Sequence, residues 1–248
     1  MICLKNVSFS YGKQPFIEGL SCELPDGRIT GLLGANGSGK STIMRLCAGL
    51  LRPNAGRIDI DGRGIRDFSP KELAREAAFL PQARPVPALS VRTLAANGRF
   101  PYLGITRKLS REDETAVDRA LEITGLRGMA DRELRTLSGG ERQKAYMAML
   151  IAQGARHMLL DEPTTYLDVG HQLELMELMG EMKKLGRCVV MVMHDIDLAM
   201  QYCDDVLVVK DGSIIYSGTA EALANSGAIE AAYGVRAMAN SGMRFARI

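Results

Sequence analysis

Residues 34–41 read Gly-Ala-Asn-Gly-Ser-Gly-Lys-Ser, and their flanks restrict the fold more than any other part of the chain. The run from Arg28 to Leu33 before them reads as a buried strand, and Thr42 to Leu50 after them repeats its apolar residues at helical spacing. Strand, glycine-rich turn and helix is the context in which a loop binds phosphate. Glycines let backbone N–H groups converge on an anion, and the helix N-terminus adds a positive dipole end. Asn36, Gly37, Ser38, Gly39, Lys40, Ser41 and Thr42 are therefore expected around the phosphates of a nucleoside triphosphate. Lys40 can reach the β- and γ-phosphates, and the Ser41 hydroxyl can sit on Mg²⁺.

The 248 residues hold one large α/β domain, or a main domain with a small insertion. A net charge of +2, with lysines and arginines scattered, gives a basic groove little support and offers no electrostatic argument for a nucleic-acid partner, so none is expected. The five cysteines form no C-x-x-C pair, which suggests a reducing compartment without a disulfide framework or zinc site. No basic segment followed by an apolar one opens the sequence, and no apolar run reaches the length of a membrane span. A soluble chain is expected.

Strand patterns cover Ile2 to Phe9, Phe16 to Leu24 and Arg28 to Leu33, then Arg57 to Asp61 and Ala77 to Leu80. Ala83 to Leu89 carries two prolines and is expected to be irregular. From Ser90 to Leu134 the pattern is helical, with no strand candidate. The alternation then resumes with a strand at His157 to Leu160, a helix at Gln172 to Lys184 and a strand at Arg187 to Met193. A hairpin follows, joined through Asp211-Gly212.

Four further features carry chemistry. Ser138 followed by Glu141 reads as a capping box opening a helix, yet Gly139 and Gly140 between them suit the approach of an anion; the sequence supports both readings. The strand at Met158 to Leu160 ends in Asp161-Glu162-Pro163. Asp161 beside a phosphate loop is placed to hold Mg²⁺, and Glu162 to orient water or act as general base. His194 closes another buried strand on the sheet edge where open α/β folds place ligands. Gln82 ends a strand at the border of the helical stretch, and its neutral amide suits weak contact with Mg²⁺ or water.

In this order and spacing the motifs resemble those of the ATP-binding cassette (ABC) ATPases over essentially the whole chain. The resemblance implies an α/β P-loop fold with a RecA-like mixed-sheet core, an N-terminal antiparallel β subdomain and an inserted all-helical subdomain. Residues 1–82 and 136–248 would form the core, and 83–135 the insertion. It further implies that Tyr11 stacks on adenine, that Gln82 lies in the Q-loop and Asp168 in the D-loop, and that His194 is the switch histidine. Ser138, Gly139, Gly140 and Glu141 match the signature, with Glu141 where many cassettes carry glutamine. The implied activity is ATP hydrolysis with Mg²⁺, with Glu162, His194 and Lys40 as catalytic groups and Ser41, Gln82 and Asp161 toward the metal. The implied assembly is an ATP-bound homodimer in which Ser138 and Gly140 of one copy cap the γ-phosphate held by the other.

Gly98-Arg-Phe-Pro-Tyr-Leu-Gly104, the run from Asp161 to Asp168 and the tail from Gly218 to Val235 look like the importers of iron–siderophore complexes, haem and cobalamin. That narrower likeness implies a separate membrane permease, an extracytoplasmic binding protein behind it, and a place on the cytoplasmic face of the membrane. Competing expectations are a transporter for another substrate such as molybdate, an exporter, a cassette protein acting on nucleic acid, and a catalytically dead ATP switch. Against the nucleic-acid reading, the chain has no coiled-coil or zinc insertion and no second cassette. Against the dead switch, Tyr11, Lys40, Gln82, Glu162 and His194 are all present.

Overall fold

The computed structural model describes residues 1–82, 86–104, 107–238 and 244–247. Three strands come first: β1 (Ile2–Tyr11), β2 (Gln14–Leu24) and β3 (Ile29–Leu33). In β2 buried and exposed residues largely alternate, as in a strand with one wet face. It pairs antiparallel with β1 around Gly12, whose φ of 72° suits the turn. After helix α1 (Lys40–Cys47), β4 (Ala55–Ile60) and the short β5 (Arg63–Gly64) complete a sheet of order β2-β1-β4-β5.

β3 belongs to a second sheet. With β6 (Ala77–Leu80), β7 (His157–Asp161), β8 (Cys188–Val192), β9 (Asp205–Lys210) and β10 (Ser213–Thr219) it forms the order β10-β9-β3-β8-β7-β6. Every residue of β3, β7 and β8 is buried, as in parallel strands covered on both faces, with Thr30, His157 and Asp161 the polar residues among them. Their pairings are parallel, and only β10 is antiparallel, at the edge. Because strand side chains alternate, this sheet is a wall between two cores. Leu32, Leu159, Val190 and Val192 join Ile43, Met44 and Leu46 of α1 and the apolar face of the first sheet. Leu33, Met158, Leu160, Val189 and Met191 join the helices on the other side.

α2 (Pro70–Glu76) stays with the first core, against which its Leu73 packs, and the helices of the other side start with α3 (Val91–Asn97), α4 (Arg111–Ile123) and α5 (Gly139–Gln153). α3 and α4 pack on each other and on α5. A Cβ on Gly98 would lie 2.2 Å from the Met149 carbonyl oxygen, so only glycine lets α3 end against α5. Arg99 next to it donates to Asp113 (2.8 Å) and to the Ala152 carbonyl (2.8 Å), and its guanidinium stacks 3.7 Å over the Tyr102 ring. The stretch expected to be purely helical contains one β-bridge, Ser90 to Glu133, which closes the ends of the block on each other. Ala83 to Pro85, at the start of the proline-bearing segment, lie outside the described residues.

The remaining helices are α6 (Val169–Lys184), α7 (Ile196–Tyr202), α8 (Ala220–Leu223) and α9 (Ala228–Tyr233), followed by the hairpin β11 (Val235–Met238) and β12 (Arg244–Arg247). All five cysteines are free and buried. Asp26, His157 and Cys188 come within 4.8 Å of one another, a grouping that no sequence spacing announced. Asp26 is already paired with Arg156 at 2.6 Å, and burial pushes the Cys188 thiol up to about 12. The imidazole of His157 is fully buried, with Nε2 3.3 Å from Asp61, and that burial lowers its pKa despite the two carboxylates. Among the described residues no helix is long and apolar enough to cross a membrane.

Candidate nucleotide-binding site

The loop from Gly34 to Gly39 joins β3 to α1 and curls over the helix N-terminus. Gly34, Gly37 and Gly39 take φ of 145°, 79° and 114°, conformations that side chains resist. At Gly34 space forbids a side chain as well, since a Cβ would lie 2.1 Å from the Val209 carbonyl oxygen. Helices α2 to α8 each have a Ser, Thr or Asp side chain accepting from their first turn. α1 has none, so its first N–H groups lack both an intrahelical and a side-chain acceptor. An anion would complete it.

Lys40 is buried beside those amides. Its Nζ donates to the carbonyls of Gly34 (2.7 Å) and Ala35 (2.9 Å). Desolvation lowers its pKa, opposed by the nearby charges of Glu162 and Asp161. Ser41 Oγ donates to Asp161 Oδ1 at 3.0 Å, and burial raises the Asp161 pKa. A cavity of about 380 Å³ opens here, with Asn36, Gly37, Gly39, Lys40, Ser41 and Thr42 among the lining residues, together with Gln82, Glu162 and His194. Within the loop the Ser38 hydroxyl is buried and unpartnered.

Glu162 is the hub among the last three residues. Its Oε1 meets His194 Nε2 at 2.6 Å, and its Oε2 accepts from Gln82 Nε2 at 2.5 Å and from Thr165 Oγ1 at 3.2 Å. The chain turns sharply after β7, because Glu162 has a φ of 51°. A non-glycine residue held left-handed is strained, and such strain collects at functional sites. Residues from the ends of β6 and β8 thus converge on one carboxylate at the end of β7.

Other expected site residues lie elsewhere. Ser138 and Glu141 form the expected capping box, with Ser138 N–H to Glu141 Oε2 at 2.8 Å and Glu141 N–H to Ser138 Oγ at 3.2 Å. Those bonds hold the Glu141 carboxyl below its usual range. Gly140 faces a separate depression with Lys144, His171 and Glu174, away from the phosphate loop. Asp168 caps α6 and accepts from the His171 backbone at 2.9 Å, while His171 Nδ1 lies 2.8 Å from Asp168 Oδ1. Tyr11 is half exposed, 3.2 Å from the Thr42 hydroxyl and edge-on to Phe16, the residue that itself lines the cavity. α5 is tied to the acidic turn through Gln143 Nε2, which donates to the Pro163 carbonyl at 2.7 Å.

Phe16, Thr165 and His171 escape sequence reasoning. Phe16 could have been found from the hairpin, whose pairing of Tyr11 with Gln14 puts it close to the aromatic already singled out. Nothing in the spacing signals His171.

The family described as "ABC transporter" matches residues 17–165, which include the loop, Gln82, the signature segment and the acidic turn. The chain belongs to that family. It is an ATP-binding subunit of the kind that hydrolyses ATP to drive transport. It is 44% identical over 222 residues to the probable siderophore transport system ATP-binding protein YusV of Bacillus subtilis (strain 168), covering 89% of this chain and 81% of that protein. It is 38% identical over 236 residues to the ferric enterobactin transport ATP-binding protein FepC of Escherichia coli (strain K12), covering 94% and 87%. Among solved structures it resembles cbiO1 from Clostridium perfringens, part of the ABC transporter complex cbiONQ. There the TM-score is 0.81 at 29% identity, with 92% of each chain covered.

Proposed function

We propose that this chain is the ATP-hydrolysing subunit of an importer of iron–siderophore complexes or a related metal chelate, working on the cytoplasmic face of the membrane with a separate permease. The observation that carries the catalytic part is the uncapped N-terminus of α1 in one cavity with a carboxylate held between Gln82 and His194. Relatives named for siderophore and ferric enterobactin transport support the cargo.

In this reading the loop amides and Lys40 bind the β- and γ-phosphates, and Tyr11 with Phe16 offers aromatic surface to the base. Glu162 orients the attacking water, and His194 contacts the γ-phosphate. Ser41 and Asp161, whose oxygens lie 3.0 Å apart, with Gln82 on the same cavity, are the hard oxygen donors that suit Mg²⁺. When bound, that ion supplies charge neutralisation on the phosphates. Ser138, Gly139, Gly140 and Asp168 do not line the cavity, which supports their serving a second copy of the chain in an ATP-bound homodimer. A groove of about 580 Å³ lined by Leu50, Arg52, Phe68 and Leu73 suits a short helix of the permease, and an extracytoplasmic binding protein would deliver the chelate to that permease.

Deleting the chain from its host should abolish uptake of a radiolabelled iron–siderophore, and wild-type chain should restore it while Lys40→Ala does not. Unchanged uptake in the deletion strain would overturn the cargo; restoration by Lys40→Ala would overturn the mechanism.

A further inference from the structure

The Tyr233 hydroxyl accepts a hydrogen bond from the Gly34 backbone N–H at 2.8 Å, across 199 residues of sequence. Gly34 is the first residue of the phosphate loop, and its carbonyl on the other side of the same Cα accepts from Lys40 Nζ at 2.7 Å. The two contacts grip one glycine from both flanks. A glycine needs such a grip, because its backbone visits φ values that other residues cannot and no side chain holds it in one of them. The Val209 carbonyl oxygen occupies the place a Cβ would need at Gly34, and orientation of the two flanking peptides is left to hydrogen bonds.

Tyr233 is well placed for this task. It is the last residue of α9, where Ala228, Ile229 and Ala232 are buried in the core on the helical side of the main sheet. Gly234 ends the helix in the left-handed conformation. Tyr233 itself packs against that core, and burial raises the pKa of its phenol, which stays protonated and neutral. Without the hydroxyl, the Gly34 N–H would be a part-buried donor with no acceptor, which backbone amides rarely tolerate.

We infer that Tyr233 is a positioning residue for nucleotide binding: through Gly34 it holds the carbonyl that aims Lys40 at the phosphates. The inference rests on the phosphate-binding reading of the loop and adds to it a contribution from the C-terminal segment, outside the phosphate-binding motifs. Its effect is a preorganisation of Lys40 before ATP arrives.

The test is a double-mutant cycle on the full chain, with trinitrophenyl-ATP as the probe, titrated high enough to saturate Lys40→Ala. Tyr233→Phe, which removes the hydroxyl alone, should weaken binding about fivefold or more, the size of one lost hydrogen bond. In the Lys40→Ala background the same change should have no further effect. Equal losses in both backgrounds would show a tyrosine acting on the fold at large, and no loss in either would show an idle hydroxyl; each outcome overturns the inference. Failure of the wild-type chain to bind the probe would instead count against the phosphate reading. Should Tyr233→Phe not fold, hydrogen exchange on the wild type decides. The Gly34 amide should be protected without nucleotide, and exchange at the rate of an open loop would overturn the proposal.

Discussion

Gly139 and Gly140 sit side by side at the start of α5, yet the structure predicts opposite consequences for the same change. An added Cβ at Gly139 meets nothing within 4 Å. At Gly140 it would lie 2.1 Å from Cδ2 and 2.4 Å from Nε2 of His171. To regain ordinary contact at 3.4 Å the ring must retreat by 3.4 minus 2.1, or about 1.3 Å. That shift strains the bonds of Nδ1 to the two Asp168 oxygens, now 2.8 and 2.9 Å. The pair is solvent-exposed, so its loss adds little, and the overpacking costs about 1–3 kcal/mol. Replacing a helical glycine by alanine returns up to about 1 kcal/mol at either site, less in the first turn. Gly139→Ala should therefore be neutral or slightly stabilised, and Gly140→Ala destabilised, with a gap of about 2 kcal/mol. For a chain of this length that gap is about 4–8 °C in Tm, measurable by circular dichroism without nucleotide. ATP hydrolysis should fall in both variants, because either methyl group obstructs an anion approaching the helix N-terminus. His171→Ala should close most of the stability gap. Equal Tm values for the two alanine variants, or a gap that survives His171→Ala, would refute the reasoning.

Three other changes probe the site and its support. Glu162→Gln keeps the acceptor for His194 but removes the negative charge, so it should bind ATP, lose hydrolysis by a hundredfold or more, roughly the effect of one general base, and accumulate an ATP-bound dimer by size exclusion. Wild-type turnover would remove Glu162 from the mechanism. Asp161→Asn should raise the Mg²⁺ concentration needed for half-maximal ATPase activity, whereas an unchanged requirement would place the ion elsewhere. For pH, burial depresses the folded-state pKa of His157, so below about 6.5 the unfolded chain binds the extra proton. Stability should fall as the pH drops through that value, with a slope of up to about 1.4 kcal/mol per pH unit from this residue. Urea denaturation should show His157→Gln flattening the slope, and an identical slope would assign the loss to other groups.

The parts legible in the sequence are those whose physics is local. Asp161 and Glu162 are marked by a buried strand that stops at a proline, and the loop by glycines between a strand and a helix. Where the pattern stops short, a cap is the reason: helical periodicity starts α6 at Gln172, but Asp168 as N-cap carries the helix back to Val169. Contacts made by the fold at long range leave no periodic trace. The Ser90–Glu133 bridge joins residues that each sit in a helical pattern, and Tyr233 reaches Gly34 only after the sheet has brought their segments together. His171 is hidden for another reason. Its ring occupies the space that makes Gly140 a glycine, so the sequence displays the small residue and says nothing of the large one pressing on it.

The bare end of α1 also has a thermodynamic side. Where its neighbours carry a cap as a side chain, this helix leaves the post to a diffusible molecule, so part of the native structure is held in the surrounding solution. Stability then depends on supply: ligand at a hundred times its dissociation constant adds about 2.7 kcal/mol, and dilution withdraws it. In a starved cell the first turn of α1 should lose that support, while Tyr233 and Lys40 still hold Gly34.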